Sequence, residues 1–283
     1  MKKITRFALL LLLFSSCGKK VKESSDQLYS RHLQRNVQLS IIRTPLPENK
    51  TGISLLILND GQDIQKLGLK NQLDSLWRMG ILSPVLVVAV HAGDRLREYG
   101  VAGFPDFQKR GDRADKYAAF VQNELYNYIK KKTGIRSFQN VVIAGVSQGG
   151  LSAFDIAWNN AARFNKVGVF SGSFWWRNKD AADPDYKDSI NRIAINMIRS
   201  SRKRPNIKMW FYAGDKEETS DRDKDGIIDV VDDTRDLINT LYDKKSVTAS
   251  DITWVESPGG THDYNSWTKA LPSFLVWAFG KGN

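Results

Sequence analysis

The sequence predicts a doubly wound α/β domain, a mostly parallel central sheet with helices on both faces. Residues 53–58 (ISLLIL), 84–90 (PVLVVAV), 141–144 (VVIA), 167–170 (VGVF), 207–212 (IKMWFY) and 252–255 (ITWV) are apolar at consecutive positions. A strand with one wet face would alternate, whereas a continuous run suits a strand covered on both sides. Helix-like segments separate these runs. Residues 115–132 place Tyr117, Phe120, Val121, Leu125, Tyr128 and Ile129 at helical spacing, and 149–160, 186–200, 233–244 and 266–279 are further candidates. The chain has 283 residues, 41% of them hydrophobic, enough for one sizeable core but not for two ordinary domains plus a leader. It contains no internal repeat.

From the N-terminus, Lys2, Lys3 and Arg6 precede the apolar run 7–14 (FALLLLLF), which is too short to span a bilayer comfortably as a helix. Ser15, Ser16, Cys17 and Gly18 follow. Small residues before a Cys directly after such a run resemble a bacterial lipobox. The resemblance implies a lipoprotein signal over 1–17 and acylation of Cys17, and so a lipid-anchored protein of the cell envelope. Cys17 is the only cysteine, which excludes an intramolecular disulfide and any Cys-based catalysis or zinc cluster in the mature fold. Residues 18–36 are polar, lack a sustained period and read as a flexible tether, with His32 as surface decoration. The folded domain is expected over 37–283, opened by the β-rich stretch 37–43 (VQLSIIR) as an edge strand. The formal charge of +11 drops to +8 without the three leader cations. No Arg-rich helix or nucleic-acid motif organises that charge, so it reads as a solvated basic surface with no nucleic-acid partner.

The strongest chemical signal follows the run VVIA. Gly145-Val146-Ser147-Gln148-Gly149 is a G-x-S-x-G motif between a strand and the helix pattern LSAFDIAWNNA. That context is the nucleophile elbow of the α/β-hydrolase fold. The turn is tight enough to strain the Ser147 backbone, and side chains at 145 and 149 would strike the neighbouring strand and helix. The Ser147 hydroxyl then stands above the carboxyl edge of the sheet, and the Gln148 N–H at the helix start can stabilise an oxyanion. A second donor is expected from the turn after 53–58, at the N–H of Gly61 or Gln62. Three histidines are present. His32 lies in the expected tether, and His91 precedes the serine, the wrong order for this fold. His262, after the last strand run, is the candidate general base. Asp263 is adjacent to it and reads as structural. The orienting acid should follow 207–212, where Asp215, Glu217 and Glu218 all qualify by chemistry.

Residues 221–232 read D-x-D-x-D-G-x-x-D-x-x-D. Oxygen ligands at loop positions 1, 3, 5, 7, 9 and 12, with Gly at 6, match an EF-hand-type calcium loop. The expected ligands are Asp221, Asp223, Asp225, the Ile227 carbonyl, Asp229 and Asp232. Asp replaces the usual Glu at position 12 and reaches less far. No helix precedes the loop, as in half-EF-hand loops of extracellular proteins. The expected role is structural, because bound Ca2+ would brace the acid-bearing turn; no cofactor is expected for catalysis.

LLILNDGQ (55–62), RLREYG (95–100), IAGVSQGGLSAF (143–154), FSGSFWW (170–176) and GGTHDYNSW (259–267) together resemble the esterase family that contains enterochelin (ferric-siderophore) esterases, S-formylglutathione hydrolase-type enzymes and feruloyl or acetyl-xylan esterases. The DGQ turn and the FWW stretch are most similar to the siderophore-esterase branch. The resemblance implies Ser147 and His262 as catalytic, and Gln148 with Gly61 or Gln62 as the oxyanion hole. It puts the acid at Glu217, where many members carry Asp. It also implies Arg97, Glu98 and Tyr99 as a wall near the site and Trp175 and Trp176 as pocket lining. The expected activity is hydrolysis of a small-molecule carboxylic ester through an acyl-enzyme. Acyl transfer on the same fold and non-catalytic ligand binding by a lipoprotein are the alternatives.

Overall fold

The structure, a computed structural model, describes residues 20–282. Cys17 and the signal lie outside the described residues. Eight strands form one sheet: β1 (Lys22–Ser30), β2 (Arg35–Arg43), β3 (Ser54–Asn59), β4 (Val85–Val90), β5 (Val141–Val146), β6 (Lys166–Phe170), β7 (Lys208–Gly214) and β8 (Ile252–Ser257), in spatial order β1-β2-β4-β3-β5-β6-β7-β8. The pairs β1–β2 and β2–β4 are antiparallel and all others are parallel. This is the α/β-hydrolase arrangement expected from the elbow.

The helices are α1 (Leu69–Arg78), α2 (Arg95–Glu98), α3 (Ala114–Ala119), α4 (Tyr126–Thr133), α5 (Gln148–Asn159), α6 (Asp188–Asn191), α7 (Ile193–Ser200), α8 (Asp229–Asp243) and α9 (Tyr264–Phe279). A π-helical stretch, Phe120–Leu125, joins α3 to α4. The core has two layers, one on each side of the sheet. Leu55 and Ile57 of β3 belong to the cluster that holds Phe120, Leu151, Phe154, Ile198 and Leu237. Leu56 and Leu58 belong to the opposite one, with Leu73 and Leu76 of α1 and Phe274 and Leu275 of α9. Successive residues point to opposite faces and both faces are covered, which is why these strands read as unbroken apolar runs.

The structure corrects the reading of 18–36 as a tether. From Lys22 onward it is a β-hairpin, with β1 as the outermost strand and β2, the expected edge, paired on both sides. Ser30 Oγ donates to Glu124 Oε2 at 2.5 Å, Tyr128 Oη donates to Asp26 Oδ2 at 2.5 Å, and Leu33 in the turn is buried. β1 has a largely exposed surface, so its composition is polar. His32 is exposed in the turn, as expected of it.

Candidate active site

β5 ends at Ser147, whose φ of 52° and ψ of −125° lie outside the ordinary regions for a residue with a side chain. The bend forces the flanking glycines. A Cβ on Gly145 would sit 2.4 Å from the Gly149 carbonyl oxygen, and one on Gly149 would sit 2.7 Å from Asp60 Oδ2. The Ser147 N–H donates to Phe170 O at 2.8 Å, tying the bend to the end of β6. Its Oγ lies 3.5 Å from Ser173 Oγ. The loops that follow β5, β6, β7 and β8 at the carboxyl edge supply Ser147, Ser173, Glu217 and His262 respectively.

Of the three candidate carboxylates, Glu217 is the one bonded to the imidazole: His262 Nδ1 lies 2.7 Å from its Oε2. An ionised carboxylate only accepts, so Nδ1 carries the proton and Nε2 is left as the basic nitrogen. Glu217 Oε1 accepts from Ser171 Oγ and from the Gly214 N–H, both at 2.6 Å, and its side chain is 1% exposed. Ser171 Oγ in turn accepts from Trp267 Nε1 at 2.8 Å, while the Trp267 and His262 rings meet edge to face at 5.1 Å. Glu218 instead accepts from the Val230 N–H, and Asp215 from the Gly259 N–H. Asp263 caps α9 through the Ser266 N–H, the structural role expected of it.

The turn after β3 sits beside the elbow. Gln148 is the first residue of α5, and Gly61 opens a 3-10 turn, so their N–H groups have no acceptor within their own helices. A Cβ on Gly61 would fall 2.6 Å from Ala89 O, so the turn can pack on the end of β4 only with glycine there. Asp60 holds the turn together. It has a φ of 60°, its N–H donates to Tyr99 Oη, and its carboxylate accepts from Arg95 Nε and from the Gln62 amide. Arg95 also donates to Val146 O and reaches Gln148 Oε1. Asp60, Arg95, Ser171 and Trp267 lie in the stretches that carry the family resemblance, but no role was readable for them, because each acts on a partner far away in the chain. His91 lies under this turn, bonded through Nε2 to Ser40 Oγ at 2.8 Å, and burial lowers its pKa.

Residues 30–278 match the family described as "Putative esterase". The chain belongs to that family. This esterase is 22% identical over 261 residues to an uncharacterized Bacillus subtilis (strain 168) protein, YbbA, covering 89% of this chain and 96% of that one. Its fold is similar to a ferulic acid esterase, with a TM-score of 0.65 and 18% identity over 93% of this chain and 98% of that one. It is also similar to the enterobactin esterase from Shigella flexneri, with a TM-score of 0.68 and 22% identity, covering 92% of this chain but only 59% of that larger one. A siderophore hydrolase, EstB, from Aspergillus nidulans superposes with a TM-score of 0.67 at 14% identity, over 97% of each chain.

In this esterase the residues expected as pocket walls divide. Arg97 points to solvent and pairs with Asp112 at 2.5 Å. Glu98 is buried and pairs with Arg35 at 2.6 Å. Tyr99 is fully buried and supports the Asp60 turn from behind, so it can act on a substrate only through that turn. Trp176 is also fully buried, with Nε1 donating to Phe104 O at 3.1 Å, and its ring leaves no room for side chains at Gly100 and Gly111. Only Trp175 remains half-exposed, on a cavity beside the acid-bearing loop.

The acidic loop is formed in part as expected. Asp221, Asp223 and Asp225 bring carboxylate oxygens within 4.8 Å of one another. Asp221 accepts from the N–H groups of Lys224 and Gly226, and Gly226, at φ 93°, makes the sharp turn. Ile227 gives its N–H to Asp225 Oδ1. Burial, together with the charges of Asp225 and Asp223, pushes the Asp232 carboxyl up to about 6, a repulsion that a bound cation would relieve. Asp229 does not join the cluster. It accepts from the Arg222 N–H and pairs with the Arg222 guanidinium, each at 2.8 Å, and Arg222 also holds Asp233. The arginine at loop position 2 thus withdraws the position-9 carboxylate.

Proposed function

We propose that this esterase cleaves carboxylic esters through an acyl-enzyme on Ser147, with His262 as base and Glu217 as the orienting carboxylate. The observation that carries the reading is the 2.7 Å pair between Glu217 and His262, mounted on loops at the same carboxyl edge of the sheet as a strained serine. The Ser147 hydroxyl turns from Ser173 toward His262 Nε2 and loses its proton as Oγ attacks the ester carbonyl; such contacts tighten when substrate binds. The N–H of Gln148 and that of Gly61 or Gln62 stabilise the oxyanion. The imidazolium, steadied by Glu217, returns the proton to the departing alcohol. Water, deprotonated by the same imidazole, then releases the acid. A fluorophosphonate probe tests this: it should label the wild type and not Ser147→Ala, and a folded wild-type chain that resists labelling would sink the reading. Measuring acid release against transfer to an added alcohol separates hydrolysis from acyl transfer.

For the substrate class, siderophore-type esters stand first, supported by the fold similarity to the enterobactin esterase and to the siderophore hydrolase. Feruloyl esters stand second, supported by the ferulic acid esterase that this chain covers almost end to end. A panel of catecholate trilactone, feruloyl and acetylated-xylan esters decides between them. Asp221, Asp223, Asp225 and Asp232 would hold Ca2+ with the Ile227 carbonyl. The ion would neutralise the cluster and stiffen the loop that continues from Glu217. Acylation at Cys17 would fix the enzyme to a membrane of the cell envelope, which mass spectrometry of the mature N-terminus tests.

A further inference from the structure

A cavity of about 540 Å³ lies between the loops that follow β6 and β7, walled by Phe107, Trp175, Arg177, Glu218 and Arg222. Both loops belong to the candidate site. Trp175 stands two residues beyond Ser173, and Glu218 adjoins Glu217, the partner of His262. Most charges around the cavity are already matched. Arg110, 5.0 Å over the Trp175 ring, is held by Asp106, and Arg222 is held by Asp229 and Asp233. Glu218 and Asp221 are turned onto backbone N–H groups. Arg177 differs. Its guanidinium lies 5.6 Å from the Phe107 ring centre and 5.8 Å from that of Tyr186, and among the described residues it has no carboxylate partner. Its Nε is buried without an acceptor. That enclosed Nε lies out of a ligand's reach, but the two terminal nitrogens also have no hydrogen bond among the described residues, and a planar guanidinium fork between aromatic rings matches a carboxylate.

We propose that Arg177 determines specificity, and that this cavity takes a leaving alcohol built on an aromatic ring that bears a carboxylate. The inference rests on the acyl-enzyme reading. The side of the cleaved bond follows from position: the imidazole must protonate the departing oxygen, so the alcohol leaves on the histidine side, where Glu218 forms a wall. Trp175 and Phe107 cover the ring, and the carboxylate accepts from the terminal nitrogens of Arg177.

The test uses the full chain with 4-acetoxybenzoate and 4-acetoxytoluene, esters of one shape that differ in the carboxylate. The quantity read is the ratio of their kcat/KM values, compared between enzymes so that leaving-group reactivity cancels. Arg177→Met should lower the ratio about tenfold or more, mainly through KM for the carboxylate ester, and Arg177→Lys should restore part of it. In the wild type, 4-hydroxybenzoate should inhibit more strongly than 4-methylphenol, a readout that needs no variant. An unchanged ratio in Arg177→Met, equal inhibition by the two products, or no turnover of 4-acetoxybenzoate by the wild type overturns the proposal. If Ser147→Ala still hydrolyses either ester, the acyl-enzyme reading itself fails; if it is inert while the ratio is unmoved, only the Arg177 inference fails.

Discussion

Glu217 receives the His262 Nδ1 proton on one oxygen and two further donors on the other, so its value lies in accepting on both sides at once. Glu217→Gln cannot do that. Its NH2 must face either the imidazole or the Ser171 and Gly214 donors, and the His262 tautomer is no longer held. We expect kcat to fall about 10²–10⁴-fold with the fold intact by circular dichroism; a kcat within a few-fold of the wild type would remove Glu217 from its role. Ser171→Ala is the milder change. It deletes one donor to Glu217 and leaves Trp267 Nε1 without its acceptor. Stability should drop by about 1–3 kcal/mol in urea titration, with a smaller loss of kcat than in Glu217→Gln. Ser147 and His262 could be read from the sequence because the first sits in a motif and the second is what remains of three histidines. Chemistry alone left Glu217, Glu218 and Asp215 open and the family resemblance pointed to Glu217; the loop's path shows the physical reason, since Glu217 faces the imidazole while Glu218 and Asp215 turn onto backbone N–H groups. Ser171 was not legible at all: a serine at the end of one strand gives no sign that it will serve an acid at the end of the next.

Among the elements, the interior strands were readable and the periphery was not. β3 to β7 announced themselves because burial on two faces leaves few polar residues to interrupt the run, and β8, half-buried at the sheet edge, still carries Ile252, Trp254 and Val255. β1 has a wet surface and a polar composition, which is also what an unstructured linker shows. α1 was passed over although Leu69, Leu73 and Leu76 repeat at helical spacing, because its remaining positions other than Trp77 are polar. The hairpin is part of the fold and can be tested as such. A chain beginning at Arg35 loses Leu33, whose full burial contributes about 1.5–3 kcal/mol, and the Ser30 and Asp26 bonds to Glu124 and Tyr128. It should melt earlier and expose Val37 and Leu39 to aggregation; an unchanged melting temperature would restore the tether reading. The acidic loop makes a second prediction. Calcium should raise the melting temperature, chelation should reverse the rise, and Asp223→Asn with Asp225→Asn should abolish the response. An identical melt with and without calcium in the wild type would leave the motif a solvated acidic loop.

At the scale of the molecule, the site depends on how α5 is seated, because α5 carries Gln148 at its start and packs against β5 and β6. Two of its polar residues face inward and hold the segment after α2. Ser152 Oγ accepts the Gly100 N–H at 2.7 Å, and Asp155 accepts the Ala102 N–H at 3.1 Å and an Asn159 amide hydrogen at 2.9 Å. Burial pushes the Asp155 carboxyl up from 3.8 to about 7. The folded state therefore binds this proton more tightly than the unfolded chain. The stabilisation is complete below the unfolded value near 3.8 and is lost as pH rises through the folded value near 7. Above that the helix seat must hold a carboxylate with two hydrogen bonds and no ion pair among the described residues. Asp155→Asn keeps an uncharged group of the same shape, with one oxygen to accept, and removes the titration. Thermal melts across about pH 5 to 8 should show the wild type losing stability with rising pH more steeply than Asp155→Asn, the two curves converging at the acid end. Parallel curves would mean that Asp155 keeps one protonation state throughout, and that α5 is seated by its apolar face alone.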